Sequence, residues 1–409
     1  MGKAAVEPRQ AVERRRGGSP AGWSFATERA LVRVASQEEV DAAPAWRRGF
    51  LARARKDRRY YRVVEQTLPG GRDCAYFVVE DLGGRVRAVQ PFFVRDLDLL
   101  HGIGGARSRL LAAVRRVLPR FAIVRAVMVG CLAGEGHLDR SADGEAAWVA
   151  EALHDALLPY ARAARARLVV LKEFPSSYRE TLSCFSQNGF ARVPSFPMTR
   201  LSLGYESFDD FLRHGVGRST RKNLRRKLRA AEAADPITLE VTADVQAIVE
   251  ELYPLYLQVY DRARFRFEQL TPEFLGRVGR ELPEKVRFFV WRQRGRVVAF
   301  SLCMLYGDTI YDEYLGLDYT VALELGLYFY TLRDIVDWGI RNGYRWYCST
   351  ALAYEPKRRL RSQLVPLDLY VAHTSKLANA VLRRLLPLLE PTHRDATLRS
   401  FPEYQALWK

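Results

Sequence analysis

Two hydrophobic periods take turns along this chain. Runs that alternate apolar with polar, or stay apolar throughout, predict strands. Runs with apolar positions at i, i+3, i+4 and i+7 predict helices. The first half reads as a strand at Leu31–Ala35, a helix over Ala45–Lys56 and three strand-like runs beginning at Tyr60, Cys74 and Arg85. Leu82-Gly83-Gly84 joins the last two as a hairpin. A glycine-rich loop from His101 then leads to a helix at Arg107–Leu118. A strand (Val124–Val129), a helix (Glu145–Ala164) and a strand (Arg167–Glu173) come next. A helix at Ser177–Asn188, stopped by Gly189, and a strand at Met198–Leu203 close this half.

The second half repeats the plan. Ser207 N-caps a short helix, and a highly basic helix runs from Arg218 to Glu232. A strand at Ile237–Thr242 precedes helices at Asp244–Tyr260 and Thr271–Leu282, the latter with Pro272 in its first turn. Three strands follow at Lys285–Arg292, Arg296–Leu305 and Thr309–Leu317. A helix at Leu325–Arg341 is closed by Gly343, strands lie at Tyr344–Ser349 and Val365–Ala372, and an amphipathic helix at Leu377–Leu389 is broken by Pro387. The order predicts an α/β fold of the mixed α+β kind: two tandem domains, each a mixed, mainly antiparallel sheet flanked by helices. The expected boundaries are a disordered basic tail at 1–24, a first domain at 25–203 and a second at 204–409 that includes the basic helix 218–232. A ligand site is expected where a central strand ends and feeds a helix.

Composition narrows the class. At 409 residues and 48% hydrophobic, the chain is long and apolar enough for two folded domains, which excludes a mainly disordered protein. The net charge of +17 invites a polyanionic partner. Because nine of the 64 basic residues are lysine, arginine-rich composition explains much of that charge, and its location matters more than its sum. Five scattered cysteines without a C-x-x-C argue for a reducing compartment and against a disulfide framework. The six histidines have no metal-ligand spacing, so no metal is expected. No apolar run reaches the roughly 18 residues a membrane helix needs, and a cytoplasmic location is expected.

Three segments carry a likeness to a known family. They are FPMTRLSL with ESFDDFL and RSTRKNLRRKLR; YLGLD with GLYFYTLRDIVDWGIRNG; and AYEPKRRL. Together with the element order they resemble the FemAB-like branch of the GNAT acyltransferase superfamily, over nearly everything after about residue 25. The resemblance implies two tandem GNAT-like domains, the first degenerate. It also implies an N-acyltransferase that joins a substrate amine to an activated acyl group. The donor would be aminoacyl-tRNA or acyl-CoA, used as a co-substrate with no tightly bound cofactor. Some such proteins act on peptidoglycan precursors, which brings peripheral contact with a membrane-linked precursor into view.

The residues supply candidate roles. In Arg218–Arg229 seven of twelve residues are basic and none is acidic. Leu224, Leu228 and Ala231 form one apolar stripe to anchor that helix. Like charges at i, i+4 cost a few tenths of a kcal/mol per pair. Arg218, Arg221, Lys222, Arg225, Arg226 and Arg229 are therefore expected to hold phosphates. A solvated surface helix is the plain alternative. Where the family cradles a pyrophosphate on backbone N–H groups, this chain has Val321-Ala322-Leu323-Glu324-Leu325-Gly326-Leu327, which keeps Gly326 but lacks the basic residue. That tilts the expected donor toward aminoacyl-tRNA, with acetyl- or acyl-CoA behind it. The glycines Gly102, Gly104 and Gly105 before Arg107 are a weaker phosphate candidate.

Asp312 and Glu313 sit mid-strand, where acids are depleted. An attacking amine must lose a proton, so either carboxylate suits a base, Glu313 slightly favoured; a structural ion pair is the alternative. Gly316 is expected to permit a bulge that offers an N–H to an oxyanion. Tyr354 is expected to protonate the leaving group and Lys357 to hold charge, on an extended turn that Pro356 imposes. The final helix, with Leu382, Leu385 and Leu389 beside Arg383 and Arg384, suits either packing on the domain or a membrane surface. A non-catalytic binding module for nucleic acid or a cell-wall precursor would explain the charge without the acidic pair.

Overall fold

The computed structural model describes residues 22–43, 54–98, 115–116, 120–140, 145–232, 235–263, 266 and 268–409, and the side chains of 230–232 are outside that description. The glycine cluster at 102–105, Arg107, nearly all of the helices expected at 45–56 and 107–118, and the Ala231 side chain lie outside the described residues. Ser24 already opens a strand, so the tail expected at 1–24 ends earlier.

Two mixed sheets form the frame. The first has eight strands: β1 (Ser24–Ala26), β2 (Ala30–Ala35), β3 (Cys74–Asp81), β4 (Val86–Asp98), β5 (Ile123–Val129), β6 (Leu168–Pro175), β15 (Leu367–His373) and β7 (Ala191–Pro194), in that spatial order. The second has seven: β14 (Gln363–Val365), β8 (Met198–Ser202), β13 (Trp346–Ser349), β12 (Thr309–Leu317), β11 (Arg296–Tyr306), β10 (Val286–Gln293) and β9 (Ile237–Thr242). Each sheet contains one parallel contact, β5 with β6 and β12 with β13; the other pairings are antiparallel. β8 and β15 are exchanged: β8 precedes residue 203 yet joins the second sheet, and β15 returns to the first between β6 and β7. The units are therefore not separable at the expected 203/204 boundary.

The labelled helices are α1 (Gln37–Ala42), α2 (Arg58–Thr67), α3 (Ala146–Ala163), α4 (Ser183–Gln187), α5 (Arg218–Glu232), α6 (Val249–Arg262), α7 (Pro272–Glu281), α8 (Leu327–Arg341), α9 (Tyr354–Arg359) and α10 (Lys376–Leu389). They fall into layers set by strand parity. Phe77 and Val79 of β3 face Val149, Leu153 and Tyr160 of α3, whereas Tyr76 and Val78 face the opposite way. That opposite face shares one core with α2, α6, α7 and the inner residues Phe288, Val290, Phe300 and Leu302 of the second sheet. Phe289 and Trp291 point outward instead and are covered by α5 and α8. A shared core between the sheets fixes one unit against the other.

Two expected elements change type. The run from Tyr60 is helix α2, not a strand: its aromatic and β-branched residues favour a strand locally, and burial overrides them. Tyr60, Val63, Val64 and Thr67 make the buried face, and the Asp57 side chain caps the start by accepting from Arg59 N–H. The helix expected at Ser177–Asn188 shrinks to a turn at Ser176–Tyr178 and the short α4.

Candidate active site

A cavity of about 920 Å³ opens between the units. The first unit lines it with Gly134, Glu135, Lys172 and Glu173; the second supplies consecutive residues Asp312–Leu315 of β12, Tyr328 of α8, Tyr347 of β13 and Lys357 of α9. Four consecutive strand residues share one cavity because β12 is bulged. Leu302 pairs with Tyr314 and Cys303 with Asp312, which leaves Glu313 as the extra residue. The strict alternation expected along this strand therefore fails at Glu313. Gly316, expected to be the bulge, pairs regularly with Phe300. It is glycine for space, since a β-carbon there would collide with the Phe300 ring.

The bulge sends two neighbouring carboxylates into different surroundings. Glu313 is buried in an ionic cluster: Arg55 binds one oxygen, and Lys56 Nζ lies 3.2 Å from the other. Arg55 and Lys56 also bind Glu135, and Arg55 stacks over Tyr311 at 3.7 Å from the ring centre. Gly134 makes room for Lys56, whose ammonium occupies the place of a β-carbon. Burial pushes the Glu313 carboxyl up, but Arg55 and Lys56 outweigh it and hold it below the ordinary range. Glu313 is thus held in the structural ion pair that stood as the alternative to a base, which turns attention to its neighbour.

Asp312 has neutral partners. The Ser301 hydroxyl donates to Oδ1, and the Tyr347 hydroxyl donates to Oδ2 at 2.5 Å. Burial pushes its carboxyl up, the two hydroxyls only partly offset that, and its affinity for a proton stays above the usual range. Lys357 acts on it electrostatically and is itself buried, its ammonium lowered to about 7 by desolvation, with a hydrogen bond to the Thr350 carbonyl. Asp312 and Lys357 both line the cavity.

Tyr354 borders Lys357, whose Nζ is 5.7 Å from its ring centre, but turns its hydroxyl away from the cavity. Its hydroxyl donates to the Pro197 carbonyl at 2.9 Å, and its ring packs with Leu398 and Phe401 in a separate small core. It is not among the residues lining the cavity. The turn expected at Tyr354–Lys357 is instead helix α9, with Pro356 in its first turn, where a missing N–H costs nothing. Leu352 and Ala353 reach that helix through left-handed backbone, with φ of 74° and 48°, and Glu173 has φ of 55°; all three line the cavity. Such strain in non-glycine residues gathers at working sites.

The donor-side turn is closed on itself. Between Tyr319 and Leu327, seven of nine N–H groups donate internally: Tyr319 to Gln258, Thr320 to the Asp318 side chain, Val321 and Ala322 to Asp318 O, Leu325 to Val321 O, Gly326 to Leu323 O and Leu327 to Ala322 O. Gly326, at φ 58°, serves as the left-handed entry to α8. Helix α5 runs beside this turn: Lys227 Nζ sits 4.1 Å from the Phe329 ring centre. Leu224 and Leu228 are buried and anchor the helix as their spacing implies. Arg218, Lys222 and Arg229 have no hydrogen bond or ion pair to a described residue. Arg221 binds the Arg213 carbonyl, Arg225 is 3.5 Å from Asp209, and Arg226 donates to Asn223.

Arg55, Lys56, Glu135, Ser301 and Tyr347 escaped the sequence reading. A lone hydroxyl in the apolar run VVAFSLCML was a usable signal for Ser301; nothing in the linear sequence ties Arg55 to Glu313, 258 positions away.

Residues 218–358 match the family model described as an acetyltransferase (GNAT) domain. The crystal structure of FemX superposes with a TM-score of 0.51 at 10% identity, over 87% of this chain and 99% of that one. The structure of L-PGS from Bacillus licheniformis gives 0.48 at 13%, covering 81% and 95%. A tandem GNAT protein from the clavulanic acid biosynthesis pathway gives 0.41 at 11%, covering 74% and 83%. No curated protein matches the chain. Within the second half, residues 218–358 are thus similar to a GNAT acetyltransferase domain. The likeness to FemX, over both units, is one of fold. Among the described residues no helix is long and apolar enough to cross a membrane.

Proposed function

We propose that this protein forms an amide by passing an activated acyl or aminoacyl group to a substrate amine in the cavity between its units. The observation that carries the reading is Asp312, a carboxylate with raised proton affinity on a bulged strand, which shares the cavity lining with a buried lysine. Asp312 takes a proton from the acceptor ammonium. The free amine attacks the acyl carbonyl and the Lys357 ammonium stabilises the oxyanion; as the bond to the leaving oxygen breaks, Lys357 gives that oxygen a proton and then takes up the second proton shed by the new amide nitrogen. Tyr347 keeps Asp312 oriented through its hydroxyl.

The proposed donor is aminoacyl-tRNA. Two features support it: a donor-side turn whose N–H groups are already committed, and a helix beside it with three unpaired basic side chains. Acetyl-CoA is the alternative that the family description favours. Binding of charged tRNA and of acetyl-CoA at two salt concentrations separates them. The proposal expects tRNA binding that weakens steeply with salt and is lost when Arg218, Lys222 and Arg229 are all changed to Glu. Saturable acetyl-CoA binding with none to tRNA overturns it.

A further inference from the structure

Helix α10 has two apolar faces, and the fold uses one. Leu382 and Leu386 rest against the core shared by the two sheets. Leu377, Val381, Leu385, Leu388 and Leu389 remain 80%, 51%, 48%, 70% and 60% exposed. At 3.6 residues per turn these five side chains fall within an arc of about 120°. Lys376, Arg383 and Arg384 are exposed on the same helix, and none has a hydrogen bond or ion pair to a described residue. No acidic residue occurs from Lys376 to Leu389. On the same helical projection Arg384 edges the stripe, about 20° beyond Leu377, while Lys376 and Arg383 lie farther round the helix. The stripe's complement is an apolar phase edged with anions.

Two further observations set the geometry. Fourteen residues of helix are about 21 Å long, short of the ~30 Å hydrocarbon core, so an immersed α10 lies in the membrane plane. The stripe also runs into the cavity rim, which Leu389, Pro391 and Arg394 line.

We propose that α10 seats the protein on an anionic membrane surface, its leucines in the acyl boundary and its arginines at the headgroups, with the cavity mouth held at the bilayer. This holds whatever the donor. The test is co-sedimentation of the full chain with vesicles of phosphatidylglycerol and phosphatidylcholine, against vesicles of phosphatidylcholine alone. The expected result is binding to the anionic vesicles, lost on Leu377→Glu with Leu385→Glu. Arg383→Gln with Arg384→Gln weakens it about tenfold. Thermal midpoints stay at the wild-type value, because these side chains are exposed; should the double glutamate variant misfold, Leu377→Ser alone carries the test. Wild-type protein that stays in the supernatant overturns the proposal. So does undiminished vesicle binding by the stripe variants, or a solution dimer broken by the same substitutions without any vesicle binding.

Discussion

From the first unit the cavity receives charges that already have partners: Lys172 lies 2.8 Å from Glu173, and Glu135 binds Arg55 and Lys56. From the second it receives Asp312, held by two hydroxyls, and Lys357, held by a carbonyl. The difference separates fixed charge from movable protons. A buried ion pair compensates desolvation and favours both charged forms, whereas neutral hydrogen-bond partners leave a buried acid's proton affinity raised and a buried base's lowered. Two adjacent residues show the contrast at its sharpest. The bulge at Glu313 hands that residue to the first unit's cations and leaves its neighbour to the cavity.

The strongest way to break this comparison is Asp312→Asn. The transfer rate should fall about 10²–10⁴-fold, the usual contribution of a positioned base. In the wild type the rate should rise with pH through a midpoint above the ordinary carboxylate range, and the variant should lose that limb. Stability should move oppositely. Because the folded protein raises Asp312's proton affinity, the carboxyl contributes stability at low pH that disappears as pH rises through its folded pKa. The variant escapes that loss, so its calorimetric Tm should match the wild type in acid and exceed it by a few degrees at neutral pH. An unchanged transfer rate removes Asp312 from the chemistry.

Glu313→Gln should do the reverse. Breaking one side of a buried pair costs about 3–5 kcal/mol and leaves two cations sharing Glu135. Glu313's proton affinity is lowered on folding, so its contribution is present above the ordinary glutamate range and fades as pH falls through the folded value. Thermal melts should show a large gap between variant and wild type at neutral pH that closes in acid, while turnover per folded molecule falls far less than for Asp312→Asn. A variant with wild-type Tm but no turnover would exchange the roles of the two carboxylates.

Much of the frame was legible in the chain. Unbroken apolar runs such as CAYFVVED and the three strands from Lys285 declare themselves, because both faces of these strands meet a packed layer. The acidic pair also stood out by its position in an apolar strand. Choosing between its members was beyond periodicity, since a bulge resets the alternation and Arg55 arrives from the other unit. The exchange of β8 and β15 was hidden for a similar reason: a strand's own pattern says that it is buried, not which sheet receives it. Helix α2 was missed because YYRVV reads equally well as an apolar strand until the partner surface is known.

The smallest expected effect bears on the proton of the leaving group. Tyr354 stands three residues before Lys357, and helix α9 keeps them neighbours, with Lys357 Nζ 5.7 Å from the Tyr354 ring centre. Their polar ends part: Lys357 lines the cavity, whereas the Tyr354 hydroxyl is spent on Pro197 and its ring packs in the C-terminal core. Burial also pushes that hydroxyl far above the range in which it gives up a proton near neutral pH. Tyr354→Phe should therefore cost about 1 kcal/mol, the usual net worth of one hydrogen bond, and leave the transfer rate within a factor of about two. Urea unfolding and single-turnover rates on the same preparation measure both. A rate loss approaching that of Asp312→Asn would return Tyr354 to the chemistry and require α9 to rearrange when donor binds. A stability loss alone places the proton with Lys357, whose change to Met should then slow transfer most with donors whose leaving oxygen is most basic.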